Sequence, residues 1–363
     1  MSAMFGCARF IYNWCLAYRQ NAYDSEGRSV TQNECMLLIT QMRHETSWLA
    51  DADSMALQEA AKDVNKAFVN FFEKRAGYPR FKSKRNNYRS YRTRNQNNCV
   101  RIEGKYIVLP KLGKVKARIS RLPNGRILNA TVSCTPSGKY FVSLCVEEEL
   151  VLKPNAGGVI GLDLGIKDLY VDSNGYKEPN PKTLARYEKK LRREMRSLSR
   201  MLRANIKGYD SKRRPVWIRP IAECKNIQKQ RIKIAKLYER IYNIRTDNLH
   251  KVTTKLVNEN QVICVESLNV KGMVKNHKLA KAISDASWSR FVAMLKYKVL
   301  EHGCEIKKVE TFFPSSQTCS SCGYKNPRVK DLQVRKWKCP VCGAKHDRDV
   351  NAAINILNKA QGV

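Results

Sequence analysis

The chain has 363 residues, of which 68 are Lys or Arg and 32 are Asp or Glu, so its formal net charge is +36. At about 150 residues per domain this length allows two or three domains, and 43% hydrophobic residues exclude global disorder. A compact fold of this charge repels itself unless a polyanion neutralises it. Nucleic acid is therefore the expected partner, and an acidic membrane surface is the weaker alternative.

The sequence also indicates a compartment. It lacks the run of about 18 apolar residues that a transmembrane helix needs. Its first segment, 1–18, is apolar but contains Arg9 and has no basic leader, which favours an amphipathic helix over a signal peptide. We expect the reducing cytoplasm, the cytosol or nucleoid of a prokaryote, where disulfides are rare.

Residues 1–74 predict a helical unit. The first helix carries its apolar residues on one face, the second begins at a capping-box pattern formed by Thr31 and Glu34, and the third follows Asp53. Packing into a common core is the simplest explanation of these apolar stripes.

A basic segment follows at 74–94, with nine Lys or Arg and no acid. Three tyrosines and Phe81 are interleaved with the cations, so the basic groups can neutralise phosphates while the rings stack on unpaired bases. A solvated loop with ordinary charges is the alternative. The candidate nucleic-acid contacts are Arg80, Lys82, Lys84 and Arg85.

From 99 to 150 the hydrophobic period changes to two, and turns that contain Gly separate short strands such as 128–134 and 140–146. This pattern predicts a small β-barrel or a curled sheet. The Pro- and Gly-containing stretch 152–158 is typical of a linker.

A second pattern begins at Val159. Strands are predicted at 159–164, 169–172, 262–266 and 305–309, with a helix at 287–302 and a closing helix at 349–359. Two long helices are predicted over 181–250, around a break at 208–220. This stretch holds 21 Lys or Arg against 6 Asp or Glu, which favours a polyanion-binding hairpin over one that only packs.

Four cysteines have the spacing of a zinc site. Cys319 and Cys322 form one C-x₂-C pair, Cys339 and Cys342 form another, and 16 residues separate the pairs. Two such knuckles give one tetrahedral Zn²⁺ four thiolates and leave no position for a catalytic water, so we predict a structural zinc ribbon. Redox-active thiols are the alternative, and His346 is interpreted as a turn residue rather than a ligand.

Three acids stand on separate predicted elements. Asp163 lies within an apolar strand, Glu266 ends another strand, and Asp349 begins the last helix. Singly, Asp349 could be a helix cap and Glu266 a solvated strand end. Together the three acids can converge. Negative charges at such a short distance repel one another unless cations neutralise them. Two Mg²⁺ ions about 4 Å apart could then clamp a scissile phosphate.

These segments resemble the TnpB family, RNA-guided DNA endonucleases that are encoded by insertion sequences and related to compact type V CRISPR effectors. The resembling stretches are GLDLGIKDLYVDSNG (161–175), VESLNVKGMVKNHKLAKAISDASWSRF (265–291), FFPSSQTCSSCGYKNP (312–327) and KCPVCGAKHDRDVNAAINI (338–356), with YPRFKSK (78–84) as a further family feature. The resemblance covers nearly the whole chain.

The resemblance implies an α/β nuclease domain of RuvC-like, RNase H type, with a zinc-ribbon insert, an N-terminal helical recognition region and a small β-barrel wedge region. The catalytic, magnesium-binding acids would be Asp163, Glu266 and Asp349, the last preferred to Asp347 because it precedes the NAA helix motif. Candidate phosphate contacts in the loop after Glu266 are Lys271, Lys275 and Lys278.

The implied regions are 1–74 for recognition, 75–153 for the basic segment and wedge, 154–311 for nuclease parts I and II with the helical insertion 181–250, 312–346 for the zinc ribbon, and 347–363 for nuclease part III. The implied partners are a guide RNA from the transposon end and double-stranded target DNA with a short flanking motif. The implied cofactors are structural Zn²⁺ and two catalytic Mg²⁺. The implied activity is metal-dependent hydrolysis of DNA phosphodiesters, and the protein would not be the transposase itself.

One departure from the family pattern leaves alternatives open. Family members begin with a strand that joins the wedge, whereas this chain begins in a helix, so we expect an upstream start or a truncated copy with an unpaired sheet edge. A nuclease-silent repressor and a non-functional fragment are the alternative functions. Loss of the acids would indicate the repressor, and all three acids are present.

Overall fold

The computed structural model describes residues 1–84 and 88–362. The chain divides into two compact units, Met1–Glu149 and Leu150–Val363, and each unit has its own core. Among the helices of the described residues, none is long and apolar enough to cross a membrane.

The first unit begins with four helices, α1 (Ser2–Glu26), α2 (Gln32–Glu45), α3 (Ser47–Ala50) and α4 (Ser54–Phe72). The capping pattern predicted at Thr31 is confirmed, because its side chain accepts a hydrogen bond from the backbone N–H of Glu34. Asp53 caps α4 in a similar way through the N–H of Met55.

Six strands follow, β1 (Arg89–Arg94), β2 (Arg101–Glu103), β3 (Tyr106–Leu109), β4 (Gly113–Lys116), β5 (Arg126–Cys134) and β6 (Tyr140–Glu147). They form two sheets, with the orders β1-β5-β6 and β2-β3-β4. Both orders are open within residues 1–84 and 88–149, so these sheets are not the closed barrel that the sequence offered as one prediction. The other, a curled sheet, stays a prediction. One core joins Leu57 and Val64 of α4 to Tyr91 and Val132 of the strands, so helices and strands share an interior.

The second unit contains the remaining helices and strands of the chain. They are β7 (Gly158–Leu164), β8 (Asp168–Asp172), β9 (Lys177–Pro179), α5 (Thr183–Ala204), β10 (Ile206–Tyr209), β11 (Pro215–Trp217), α6 (Lys225–Glu259), β12 (Asn260–Glu266), α7 (Val270–Met273), α8 (Ala280–Ala286), α9 (Trp288–His302), β13 (Glu305–Val309), a 3₁₀ turn (Pro327–Lys330), β14 (Lys336–Lys338), β15 (Lys345–Asp347) and α10 (Arg348–Gln361).

A five-stranded mixed sheet is the centre of the second unit. Its order is β13-β12-β7-β8-β9. The pairs β13/β12 and β12/β7 are parallel, and the pairs β7/β8 and β8/β9 are antiparallel. The four strands predicted in this region are confirmed, with bounds that differ by two residues at most.

Helices cover both faces of this sheet. On one face, Leu162 of β7 and Val265 of β12 share a core with Leu256 of α6 and Phe291 of α9. On the other face, Cys264 of β12 packs with Ile356 of α10. Because side chains alternate along a strand, residues next to Leu162 and Val265 in the sequence face α10.

The two predicted basic helices are confirmed as α5 and α6, which pack through Leu191, Ile234 and Leu237. The break between them differs from expectation, because it contains the hairpin β10–β11. These strands have four and three residues, too few to show the apolar alternation that predicts a strand.

Asp285 caps a helix that lies far away in the sequence. The sequence predicts that Asp285 caps the helix that directly follows it, at 287–302. Instead, both carboxylate oxygens accept hydrogen bonds at 3.0 Å from the backbone N–H of Leu184, at the start of α5. One of them also lies 2.6 Å from Arg245 of α6. Asp285 therefore joins α8 to the helical hairpin.

Candidate active site

Asp163 and Glu266 lie side by side on the sheet. The parallel register pairs Leu162 with Val265, so the next residue of each strand is Asp163 on β7 and Glu266 on β12. Both follow residues that face α6 and α9, and both therefore point to the face that α10 covers. The prediction that two strands bring these acids together is consistent with this register.

The N-terminus of α10 supplies the third acid. The side chain of Asp347 caps this helix by accepting hydrogen bonds from the N–H groups of Asp349 (3.1 Å) and Val350 (3.3 Å). Asp347 is also 2.8 Å from Nζ of Lys177. Asp349, one residue into the helix, lines a cavity of about 730 Å³ together with Asp163 and Glu266.

A glycine on β7 allows α10 to lie this close. A Cβ atom on Gly161 would stand 2.2 Å from the carbonyl oxygen of Ala353 and 2.8 Å from Cβ of Leu357. Only a residue without a side chain fits that approach. Gly161 therefore sets the spacing between β7 and the helix that carries Asp349.

The acids are electrostatically coupled. Burial and the negative charges of Glu266 and Asp349 raise the pKa of Asp163 well above its usual range, although Arg348 and Arg335 oppose the rise. Burial also raises the pKa of Glu266 to about 7, against a hydrogen bond with the backbone of Leu164. Both charged forms are therefore disfavoured unless cations enter the cavity.

Basic side chains that the sequence pattern did not reveal line the same cavity. A guanidinium nitrogen of Arg335 lies 3.4 Å from Oδ1 of Asp349, and Lys167, Lys325 and Lys330 lie in the wall. Three of these residues come from the Cys-rich insert, between or beside the knuckles. The signal that could have found them is the basic character of 325–338, between the two cysteine pairs.

The four cysteines form one compact cluster. Their sulfur atoms all lie within 4.8 Å of one another, and the pairs Cys319–Cys342 and Cys322–Cys339 are each 3.6 Å apart. A tetrahedron with Zn–S bonds of about 2.3 Å has edges of about 3.8 Å, so the thiolates fit one Zn²⁺. Within residues 1–84 and 88–362, the three acids do not form so tight a group.

The two knuckles have the same backbone geometry. Gly323 donates its N–H to the carbonyl of Cys319 (2.9 Å), and Gly343 donates to that of Cys339 (3.0 Å). Both glycines have positive φ, 75° and 74°, which a glycine adopts without strain. Although desolvation opposes the change, backbone N–H groups of Cys342 and Val341 lower the pKa of Cys339 to about 7. Although a backbone hydrogen bond at Tyr324 opposes the change, desolvation and the three neighbouring cysteines raise the pKa of Cys322. The metal-free cluster therefore does not hold four thiolates.

His346 lies beside this cluster. It pairs with Trp337 across β14 and β15, and their rings are 4.6 Å apart. Its Nε2 is 3.0 Å from Sγ of Cys319. His346 was predicted to be a turn residue; it is instead a strand residue that can hydrogen-bond a cysteine sulfur.

In the first unit, part of the basic segment is fixed against α1. Asn13 uses its amide to bond the backbone of Lys82 twice, donating to its carbonyl (2.9 Å) and accepting from its N–H (2.7 Å). Nζ of Lys82 lies 3.9 Å from the centroid of the Tyr12 ring. Arg80 and Lys84 are exposed, and Arg85 lies outside the described residues.

The loop after Glu266 carries the other candidate contacts. Lys271 lies in α7, and Lys275 and Lys278 lie between α7 and α8. All three side chains are exposed. None of them lines the cavity of the three acids. These lysines therefore follow β12 in the sequence but do not belong to the acidic cavity.

Family models match three segments of the chain. One described as "Probable transposase", for OrfB of IS605, matches residues 143–277. One described as "Cas12f1-like, TNB domain" matches 288–356, and one described as "Helix-turn-helix domain" matches 1–28. In this structure the last segment contains the single helix α1.

Curated proteins are similar over nearly the full length. A Streptomyces pristinaespiralis protein named "Putative RNA-guided DNA endonuclease" is 36% identical over 98% of this chain and 84% of its own length. The Escherichia coli K12 protein "Putative RNA-guided DNA endonuclease InsQ" is 32% identical over 99% of this chain and 88% of its own.

A solved structure has a similar fold. The matching chain comes from the "Cryo-EM structure of the Cas12f1-sgRNA-target DNA complex", with a TM-score of 0.58 over 98% of this chain and 81% of that one. The two sequences are 15% identical, so this likeness concerns the fold.

Proposed function

The chain belongs to the TnpB family of IS605-type elements, and on that premise we propose that it is an RNA-guided DNA endonuclease. Full-length similarity to proteins with that name supports the proposal. The observation that carries it is the cavity lined by Asp163, Glu266 and Asp349. Such a cavity gives the family activity a place where a phosphodiester can be hydrolysed.

The second unit would be a RuvC-like nuclease domain of RNase H type. The proposal is supported by a mixed sheet with helices on both faces and by acids contributed from two adjacent strands and one helix. The corresponding three nuclease parts would then be β7 to β9, β12 to β13 and α10, with the four-cysteine cluster inserted before the last part.

The three carboxylates would hold divalent cations, and their chemistry favours Mg²⁺. Hard carboxylate oxygens suit Mg²⁺, whereas the soft thiolates of the cysteine cluster suit Zn²⁺. Bound Mg²⁺ would stabilise the charge that develops on the phosphate and would make a water molecule a better nucleophile. Asp163, whose carboxylate interacts with the charges of both Glu266 and Asp349, would be shared by the ions.

The basic side chains would hold the substrate strand. Lys325, Lys330 and Arg335 line the cavity and would neutralise phosphates on either side of the cut. Arg335, which pairs with Asp349 in this structure, would be released when a cation takes over that carboxylate. Its guanidinium would then be free for phosphate oxygens, which it matches in geometry.

The guide and the target would bind through charge and base pairing. A net charge of +36 suits two long polyanions, and pairing between guide RNA and one DNA strand would supply sequence selection. The exposed cations Arg80 and Lys84 and the hairpin α5–α6 are the proposed contacts. The partners would be RNA from the transposon end and double-stranded DNA with a short flanking motif, which would place the protein in the cytosol or nucleoid.

Asp163→Ala tests the chemistry. The protein is purified with its RNA from cells that carry its gene, the RNA is sequenced, and cleavage is measured on DNA with randomised flanking sequences. We expect Asp163→Ala to bind the guided target but to lose cleavage by at least about 10³-fold, because the shared ligand is gone. Chelation of Mg²⁺ should have the same effect.

The matched control is Glu305→Gln, which removes a carboxylate from the opposite end of the same sheet and should cleave normally. Cleavage by Asp163→Ala at the wild-type rate would remove the proposed role of the acids. A wild-type protein that binds guided targets without cutting them would instead support the nuclease-silent alternative.

Cys319→Ser tests the zinc assignment. Three thiolates and a weaker ligand bind Zn²⁺ less tightly than four thiolates, so we expect loss of stoichiometric zinc by metal analysis. Residues 312–346 should become faster in hydrogen exchange, because structural zinc contributes folding energy. Cys145→Ser, an exposed thiol of the first unit, is the control; full zinc in Cys319→Ser would reject the site.

A further inference from the structure

Phe312 is an exposed aromatic residue at the acidic cavity. Its side chain is 93% exposed, more than any other large apolar side chain in the described residues. It also lines the cavity that contains Asp163, Glu266 and Asp349. Burying an aromatic ring is favourable, so a ring held almost entirely in solvent at this place requires an explanation.

The backbone of Phe312 is strained. Its φ is +75°, in the region that glycine tolerates and that is a rare outlier for bulky residues. Strained conformations of this kind persist where the surrounding structure imposes them, and they cluster at functional sites. A glycine would satisfy the turn without strain, so the turn by itself does not explain why a phenylalanine stands at this position.

The segment around Phe312 is fixed on both sides. Thr311 donates its hydroxyl to the carbonyl of Ser267 (3.0 Å), next to Glu266. Phe313 packs on the cluster of Cys264, Val309 and Ile356. The carbonyl of Ser315 accepts a hydrogen bond from Asn355 of α10 (2.7 Å). The ring of Phe312 is therefore presented by a rigid loop rather than by a loose one.

The surroundings fit one ligand chemistry. Cationic groups of Lys325, Lys330 and Arg335 line the cavity and suit phosphates, while an aromatic face suits a nucleobase. A base in a duplex is already stacked on its neighbours, so the exposed ring has a free partner only in a single strand. The ligand is therefore a DNA strand with an unpaired base beside the phosphate that is cut.

We propose that Phe312 is a stacking platform that binds an unpaired base of the DNA strand at the acidic cavity and so positions the scissile phosphate over Asp163, Glu266 and Asp349. This rests on the proposed nuclease function. Phe312 touches the substrate without taking part in bond making or breaking. Its rigid loop is anchored at Ser267 and α10, so the position of the base is fixed relative to two of the acids.

Cleavage by variants tests the role of the ring. Phe312→Leu keeps an apolar side chain but removes the π face, and we expect cleavage of the guided target to fall about 10- to 100-fold. Phe312→Tyr keeps the ring and should stay within about 2-fold of wild type. The control is Leu300→Ala, on α9 and outside the cavity, which removes an apolar side chain of 66% exposure and should cleave normally.

Photo-cross-linking tests the contact without cleavage. Single-stranded DNA carrying 5-iododeoxyuridine at one position at a time is bound to the full-length protein with its RNA, with Ca²⁺ in place of Mg²⁺, and irradiated. Mass spectrometry should map a cross-link to Phe312 at one or two adjacent positions. The cross-link should disappear in Phe312→Leu and persist in Phe312→Tyr, while thermal unfolding and zinc content show that each variant is folded.

The outcomes separate this inference from the proposed function. Wild-type cleavage by Phe312→Leu, or a wild-type protein without a cross-link at Phe312, would overturn the stacking platform. Absence of guided cleavage in the wild-type protein with the Phe312 cross-link intact would contradict the endonuclease function while the stacking contact stands.

Discussion

At the scale of single residues, Asp163 is held where its charged form is disfavoured. Burial and two neighbouring carboxylates raise its pKa well above the usual range, and burial raises the pKa of Glu266 to about 7. A carboxyl group with a raised pKa binds its proton more tightly in the folded chain than in the unfolded chain. Between the two pKa values, the folded state of the metal-free protein therefore loses stability as the pH rises.

Asp163→Asn should consequently stabilise the metal-free protein at pH 8 while abolishing cleavage. The amide keeps the shape of the side chain without the charge, so the free energy of unfolding should rise by ~1–3 kcal/mol. The difference should shrink to a few tenths of a kcal/mol (~0.4) near pH 4, where the carboxyl is protonated in the folded state and about half ionised in the unfolded state. Thermal unfolding in a chelator measures both values, with Glu305→Gln as control; equal stability at pH 8 would contradict the coupling.

The sequence predicts some features of single residues and not others: it indicates candidate site residues but not their long-range side-chain contacts. The three acids could be proposed from the sequence because strand and helix patterns surround them and because their segments resemble a known family. The partners of Arg335 and Asp285 do not, because a side chain that bonds across space leaves no periodic pattern. Asp285 was expected to cap the next helix, yet it bonds the N–H of Leu184, about 100 positions away in the sequence.

At the scale of elements, the contact between β7 and α10 determines where the third acid lies. Gly161→Ala would place a Cβ atom 2.2 Å from the carbonyl of Ala353, and a backbone atom cannot swing aside as a flexible side chain can. The helix must shift, and Asp349 shifts with it. The close approach of α10 to β7 at Gly161 thus controls the geometry of the cavity.

We expect Gly161→Ala to destabilise the protein by ~1–3 kcal/mol and to reduce cleavage much more than RNA binding. Unfolding in denaturant and a guided cleavage assay measure the two effects. Gly208→Ala is the control, because a Cβ there meets nothing within 4 Å. A fully active Gly161→Ala variant of wild-type stability would show that α10 has more freedom than the structure indicates.

Elements differ in how well their sequence predicts them. The strands β7 and β12 each contain a run of apolar residues beside their acids, so their positions were predicted closely. The hairpin β10–β11 was missed because its strands have only four and three residues, too few to show an alternating pattern. The two small sheets of the first unit were predicted as a barrel or curled sheet, because alternation reveals strands but not which strands pair at long range.

At the scale of the whole molecule, charge governs association. With a net charge of +36, much of the binding energy for RNA comes from released counterions. We expect affinity for the co-purified RNA to fall about 10³-fold or more between 50 and 200 mM salt, as for proteins with six or more phosphate contacts. Filter binding at a series of salt concentrations gives the slope.

The double variant Arg80→Ala/Lys84→Ala should reduce the magnitude of this slope by about one for each lost phosphate contact. The matched control is Lys105→Ala/Lys116→Ala, which removes the same charge from the turn between β2 and β3 and from the end of β4. An unchanged slope in Arg80→Ala/Lys84→Ala would remove the basic segment from the RNA interface.

The separation of the acids along the chain has a consequence for synthesis. Asp163, Glu266 and Asp349 emerge from the ribosome one after another, and the cysteine knuckles emerge before the last. A nascent polypeptide therefore carries no assembled acidic centre until α10 settles on Gly161. A ribosome that stops before α10 is made therefore releases a chain that lacks the third acid of this centre.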